Sequence, residues 1–196
     1  MLTRFPRRRV CSFEYIYFSR LDSVIDAISV YKVCEKIGKK LYEQHPVKAD
    51  VLVGAPDSGC FGSYRFYSKA SSIPFKPILL KNKYIGRSFI DPTQELREHI
   101  VNLKFNLILS EVAGQKIVII DDSIVRGTTS CKLVDILRKF YLQEIHFRSA
   151  SPPIIAPCFL LVDTSKKEDL ILATNDKITI AGLLGVDSLE FLSMTT

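Results

Sequence analysis

Apolar residues first settle into a rhythm after Ser23, where Val24, Ile25, Ile28, Val33, Ile37 and Leu41 recur at helical spacing. With Ser23 as N-cap and Asp26 three residues on, the pattern predicts a surface-lying helix running to about His45. Three short apolar runs follow, at residues 50–55, 77–80 and 116–120, and the first and third lead through Gly-, Ser- and Thr-rich turns into helical stretches. Residues 128–141 carry Val134, Ile136, Leu137 and Phe140 on one side, and residues 144–149 read as the next strand. Strands therefore alternate with helices. The unbroken apolar run Ile117, Val118, Ile119, Ile120 implies a strand buried on both faces, so the order predicts an α/β fold with a mostly parallel sheet flanked by helices. Ligands of such sheets bind beyond the carboxyl ends of the strands, which directs attention to the loops after Ala55, Leu80 and Ile120.

No internal repeat or low-complexity segment interrupts the chain, and 196 residues suit one domain spanning 1–196, with residues 1–10 as a basic amino-terminal arm. Hydrophobic residues at 47% and charged residues at 24% are ordinary for a globular protein and exclude a disordered or fibrous one. The longest uncharged stretch, residues 149–162, falls short of the ~20 apolar residues of a membrane helix and is broken by Pro152, Pro153 and Pro157. The start MLTRFPRRRVCSFEY lacks the apolar core of a secretory signal, so a cytoplasmic protein without a membrane partner is expected. Five cysteines at irregular spacing fit reduced thiols rather than disulfides. The net charge of +6 owes four charges to Arg4, Arg7, Arg8 and Arg9, which leaves 23 basic against 21 acidic residues elsewhere and argues against nucleic acid as partner. His45, His99 and His146 show no metal-ligand spacing.

The densest chemistry lies in Val118-Ile119-Ile120-Asp121-Asp122-Ser123-Ile124-Val125-Arg126-Gly127-Thr128-Thr129-Ser130, a buried strand ending in two carboxylates and a turn that opens a helix. Gly127 permits close approach of backbone to a ligand, and Thr128, Thr129 and Ser130 offer hydroxyls. The free N–H groups at the helix start favour a phosphate. Paired carboxylates accept hydrogen bonds from vicinal hydroxyls, so a phosphate with a diol a short distance away describes a ribose 5-phosphate. A lone Asp-Asp would more often cap a turn; the whole string points to a ligand. The turn Pro56-Asp57-Ser58-Gly59 could cradle an oxyanion with its N–H groups or be an ordinary strand-to-helix turn. Lys81, Lys83 and Arg87 beside Tyr84 and Gly86 make a charged segment that composition alone reads as a solvated loop.

These blocks resemble the type I phosphoribosyltransferases, and DDSIVRGTTS is similar to the phosphoribosyl pyrophosphate (PRPP) motif of their amidophosphoribosyltransferase branch. Residues 11–20 (CSFEYIYFSR), 56–59, 81–90 (KNKYIGRSFI), 151–153 (SPP) and 187–189 (DSL) are similar to that branch's other blocks, in its order. The resemblance implies a type I phosphoribosyltransferase fold, Rossmann-like, and a pentosyl transfer in which ammonia displaces pyrophosphate from PRPP to give 5-phosphoribosylamine in purine biosynthesis. It further implies that Asp121, Asp122, Ser123, Arg126, Gly127, Thr128, Thr129 and Ser130, with Pro56, Asp57, Ser58 and Gly59, bind PRPP. Lys81, Tyr84 and Arg87 would act in a mobile catalytic loop, and Mg²⁺ would arrive with PRPP, touching Asp121 and Asp122 only indirectly.

Some features depart from the branch. Its members begin with a glutaminase whose terminal cysteine attacks glutamine, and these residues leave no room for one, so ammonia is expected from solution or from a separate glutaminase subunit. Cys11 and Cys158 match two ligand positions of an iron–sulphur cluster found in some members, but the later Cys-x-x-Cys is missing and no cluster is expected. Leu21 stands where proline is usual, and Phe140, Tyr141 and Leu142 where small residues are usual. A homo-oligomer and purine-nucleotide feedback inhibitors complete the expected partners. Two other functions fit parts of the pattern: a non-catalytic subunit binding PRPP or purine nucleotides, and a salvage transferase joining PRPP to a nucleobase.

Overall fold

The computed structural model describes residues 10–56, 63–81, 105–107, 112–158 and 166–193. At its centre four strands pair in parallel: β3 (Val51–Gly54), β6 (Lys116–Asp121), β7 (Glu144–Ser149) and β8 (Ser188–Phe191), in the order β3-β6-β7-β8. Two small ribbons stand apart, β1 (Val24–Ile25) with β2 (Ile28–Ser29), and β4 (Leu79–Lys81) with β5 (Phe105–Leu107), both antiparallel. Among the described residues the α-helices are α1 (Val30–Gln44), α2 (Ser63–Ser71), α3 (Thr128–Arg138), α4 (Ile171–Thr174) and α5 (Lys177–Leu184). The expected parallel sheet flanked by helices is thus observed. No helix among the described residues is long and apolar enough to cross a membrane.

The register explains the burial. Ile117 pairs with both Val51 and Ile145, and Phe147 pairs with Ile119 and Leu189, so side chains of one parity stack across all four strands. That face packs on Leu133, Val134 and Leu137 of α3 and on Ile180 and Leu184 of α5. Burial of each such aliphatic side chain contributes about 1.5–3 kcal/mol. Beneath α1 and α2, Leu52, Val118 and Ile120 meet Leu41, Tyr64 and Tyr67. A Cβ at Gly38 of α1 would strike the Ser63 carbonyl oxygen and lie 2.7 Å from Phe66 Cβ and 2.9 Å from Tyr67 N, so the two helices cross with backbone nearly touching.

On β7 and β8 the α1–α2 side turns polar. His146 and Arg148 are buried there although both are polar. An Arg148 Nη1 hydrogen bonds to the Phe147 carbonyl at 3.0 Å and to Ser188 Oγ at 2.9 Å, while Ser188 Oγ also lies 2.9 Å from His146 Nδ1. Ser188 Oγ thus links the guanidinium to the imidazole, whose other nitrogen, Nε2, lies 3.0 Å from the Glu144 carboxylate. Burial, then the Arg148 charge, holds His146 below its ordinary pKa despite Glu144.

Three expectations need correction. Residues 24–29 form a ribbon rather than the start of α1: Asp26 and Ala27 adopt φ of 48° and 62°, a left-handed pair that reverses the chain. Ser29 therefore precedes the helix where Ser23 was expected to cap it, and Val24 and Ile28 are exposed. The run at 77–80 supplies β4, which pairs with β5 outside the four-stranded sheet; Phe75 makes only a single bridge to Leu52, and Pro74 and Pro77 on either side have no N–H for a ladder. Helix α3 ends at Arg138, three residues short of the expected end, because Phe140 N–H closes a tight turn onto the Leu137 carbonyl and Tyr141 is left-handed at φ 53°.

Candidate functional site

Strand β6 carries its apolar run to the carboxyl edge of the sheet and there delivers Asp121 and Asp122. The edge is fixed from both sides: Ala55 N–H donates to the Ile120 carbonyl at 2.9 Å and Ala150 N–H to the Asp121 carbonyl at 2.8 Å. The Asp122 N–H donates to Asp121 Oδ1 at 2.8 Å, and Ser123 Oγ donates to Asp122 Oδ1 at 2.6 Å. Asp122 is buried, while Asp121 keeps part of its surface in solvent. Burial first, and the neighbouring Asp122 carboxylate second, push Asp121 up to about 8 against the opposing pull of the Asp122 N–H. The pair therefore shares negative charge reluctantly, and hydrogen bonds from donors such as hydroxyl groups would favour its charged form.

Ile124 then plugs the core at 1% exposure and the chain turns through Val125 and Arg126 to Gly127. Gly127 has φ 77°, a conformation costing a residue with a Cβ about 1–2 kcal/mol, and a Cβ there would also lie 2.8 Å from Ile171 Cδ1. Helix α3 starts immediately after it. Its first internal bond runs from Cys131 N–H to the Gly127 carbonyl at 2.8 Å, so the N–H groups of Thr128, Thr129 and Ser130 lie outside the helical ladder. Those donors and the positive end of the helix dipole are the features that favour an anion, and they follow the two carboxylates by a few residues along the chain. Thr128 and Thr129 are exposed, and Ser130 is buried.

The other expected site residues are only partly in view. Pro56 follows β3 at the same edge of the sheet, whereas Asp57, Ser58 and Gly59 lie outside the described residues. Lys81 closes β4, its backbone opposite Phe105; Tyr84 and Arg87 lie outside the described residues. Sequence reasoning did not single out Asp169 or Ile171. The Arg126 guanidinium meets the Asp169 carboxylate at 3.3 Å, and Ile171 N–H donates to the Val125 carbonyl at 3.0 Å. Their only advance signal was the acidic-apolar string Glu168-Asp169-Leu170-Ile171, which has no distinctive spacing.

For a divalent cation, no group of three or more His, Cys, Asp or Glu side chains converges among the described residues. Two adjacent carboxylates do fit Mg²⁺ brought in by a phosphate ligand, since that ion keeps its waters and needs at most one or two protein carboxylates.

A parallel sheet with an acidic strand tip running into a left-handed glycine and a helix start is the setting of a phosphoribosyl transferase domain. The model of that family matches residues 22–150, and the chain belongs to it. The similarity narrows to one branch. Over 188 residues the chain is 51% identical to the amidophosphoribosyltransferase of Methanothermobacter thermautotrophicus, covering 96% of this chain and 40% of that protein. With the Bacillus subtilis amidophosphoribosyltransferase it shares 45% identity over 187 residues, 95% of this chain and 39% of that one. The solved structure of the B. subtilis glutamine PRPP amidotransferase complexed with ADP and GMP superposes with a TM-score of 0.85, covering 95% of this chain and 41% of that chain. The chain thus spans about two-fifths of the length of these relatives, and the resemblance read from DDSIVRGTTS is borne out.

Proposed function

We propose that this chain is a phosphoribosyltransferase of the amidophosphoribosyltransferase kind, in which ammonia displaces pyrophosphate from PRPP to form 5-phosphoribosylamine in purine biosynthesis. One observation carries the reading: the two carboxylates at the tip of β6 lead within a few residues into the N–H groups at the start of α3 that lie outside its helical ladder, an order suited to a sugar carrying a diol and a phosphate. Asp121 and Asp122 accept the 2′ and 3′ hydroxyls, and Ser123, Arg126, Gly127, Thr128, Thr129 and Ser130 hold the phosphate. Hydroxyl donors favour the charged form of the carboxylates, so the bound diol draws negative charge beneath the ring as C1 becomes cationic. Nitrogen bonds to C1, the C1–oxygen bond to pyrophosphate breaks, and the surplus ammonium proton passes to water. Pyrophosphate is a good leaving group, so positioning carries most of the catalysis.

Pro56, Asp57, Ser58 and Gly59 would receive the pyrophosphate, and Lys81, Tyr84 and Arg87 would neutralise it as it leaves. Mg²⁺ bound with PRPP supplies further neutralisation of the leaving group. We take the chain to work in the cytoplasm as one transferase domain within a homo-oligomer, with ammonia from solution or from a glutaminase. The complex of the B. subtilis relative with ADP and GMP supports a second ligand class, purine nucleotides, as feedback inhibitors.

The test is direct. PRPP, MgCl₂ and an ammonium salt should yield pyrophosphate, and Asp121→Asn combined with Asp122→Asn should abolish the yield and weaken PRPP binding. Binding of PRPP without pyrophosphate release would favour a regulatory subunit, and release with a purine base but not with ammonia would favour salvage.

A further inference from the structure

The turn that would hold the phosphate is braced from behind by the segment formed of the short turn Lys167–Asp169 and α4. Three successive residues of the loop each meet it by a different kind of contact. The Val125 carbonyl accepts the Ile171 N–H at 3.0 Å, Arg126 pairs with Asp169 at 3.3 Å, and the Cβ position of Gly127 lies 2.8 Å from Ile171 Cδ1. Behind the turn, Leu184 Cδ2 of α5 lies 3.9 Å from the same Cβ position.

The brace is itself held by the core and by its own hydrogen bonds. Leu170 is fully buried, and the Ile171 carbonyl accepts both the backbone N–H and the side-chain amide of Asn175 at 3.1 Å. Asp176 then caps α5 by accepting the Thr179 N–H at 2.8 Å. Leu170, between the two residues that meet the loop, is thus held in the core, and the segment is tied at its carboxyl end.

Resting on the reading of this loop as the 5′-phosphate seat, we propose that Asp169 and Ile171 are positioning residues for phosphate binding. Ile171 ties down the carbonyl of Val125 and fills the space beside Gly127, so the loop has no room to turn its N–H groups away from the ligand. Asp169 holds the Arg126 guanidinium at the mouth of the turn rather than letting it sweep through solvent. Neither residue touches substrate; each fixes a group that does. A seat made of backbone donors works only when those donors are aimed before the ligand arrives.

The experiment is calorimetry on the full chain with three ligands: PRPP with Mg²⁺, ribose 5-phosphate, and pyrophosphate with Mg²⁺. Asp169→Ala and Ile171→Ala should each weaken ribose 5-phosphate and PRPP on the order of tenfold and leave pyrophosphate unchanged, since only the 5′-phosphate end is loosened. Asp169→Glu and Ile171→Val, which keep the charge and the branched side chain and should fold as the parent does, should recover most of the loss. Unchanged affinity for ribose 5-phosphate in both alanine variants, with PRPP binding intact, would overturn the brace and leave the transferase reading standing. Equal loss for all three ligands would also overturn it, as a general loosening of the fold. If the unaltered chain binds neither PRPP nor ribose 5-phosphate, both ideas fall together.

Discussion

Strands β6 and β7 lie side by side, yet they solve burial in opposite ways. Strand β6 is apolar on both faces and holds its carboxyl groups at the tip, where Asp121 is partly exposed and Asp122 buried. Strand β7 is apolar toward α3, through Ile145 and Phe147, and polar toward α1 and α2, through His146 and Arg148. The first arrangement concentrates polarity where it can be used on a substrate. The second spends it inward, on Ser188, Glu144 and the Phe147 carbonyl. The contrast teaches that chemistry in this fold belongs to the strand edges, and that a buried charge in mid-strand is a matter of architecture.

The largest break in this comparison should come from the apolar side of β7. Phe147→Ala should lose about 3–5 kcal/mol, read from the urea midpoint at constant slope. Next come the opposite pH dependences of the two strands. Asp121 binds its proton more tightly folded than unfolded, so between about pH 4 and 8 the native state holds the extra proton and stability falls as pH rises. His146 has its pKa lowered by folding, so the unfolded chain holds the extra proton below the ordinary value of 6.5, and stability falls as pH drops through that window. Asp121→Asn should flatten the alkaline decline and His146→Gln the acid one, each visible in thermal midpoints measured from pH 5 to 8. Arg148→Met should sharpen the comparison by its mildness: Glu190 keeps Lys177 at 2.8 Å, no charge is stranded, and the urea midpoint should hold or rise. The smallest effect belongs to the exposed pair of Lys116 with Glu144, where Lys116→Met should leave the midpoint unmoved.

The parallel sheet and the transferase family were both legible in the residues. Ile117 to Ile120 could only be a strand buried on two faces, and an acidic tip followed by Gly-Thr-Thr has few uses other than a ligand. What escaped the pattern did so for physical reasons. Helix α5 is apolar nearly all round, with Ile178 and Leu183 exposed opposite Ile180 and Leu184, so it has no periodicity to read; its caps, Asp176 and Gly185, were the usable signals. The ribbon at Val24 to Ser29 imitates a helix because apolar residues four apart satisfy both templates, and neither Asp26 nor Ala27 advertises a left-handed turn. Strand β8 alternates Leu189 and Phe191 with Ser188 and Glu190 over too few residues to stand out. Asp169 and Ile171 are separated from the loop they brace by some 40 residues, and only folding brings them together.

The crossing at Gly38 reaches further than its size suggests. Ser63, which that glycine presses against, is the residue where α2 begins, downstream of the turn at Pro56. A single hydrogen atom in place of a methyl thus sets how deeply the second helix can sink against the first. Any side chain at position 38 would have to pry the two helices apart at backbone level, which makes an inconspicuous spot in the first helix intolerant of replacement.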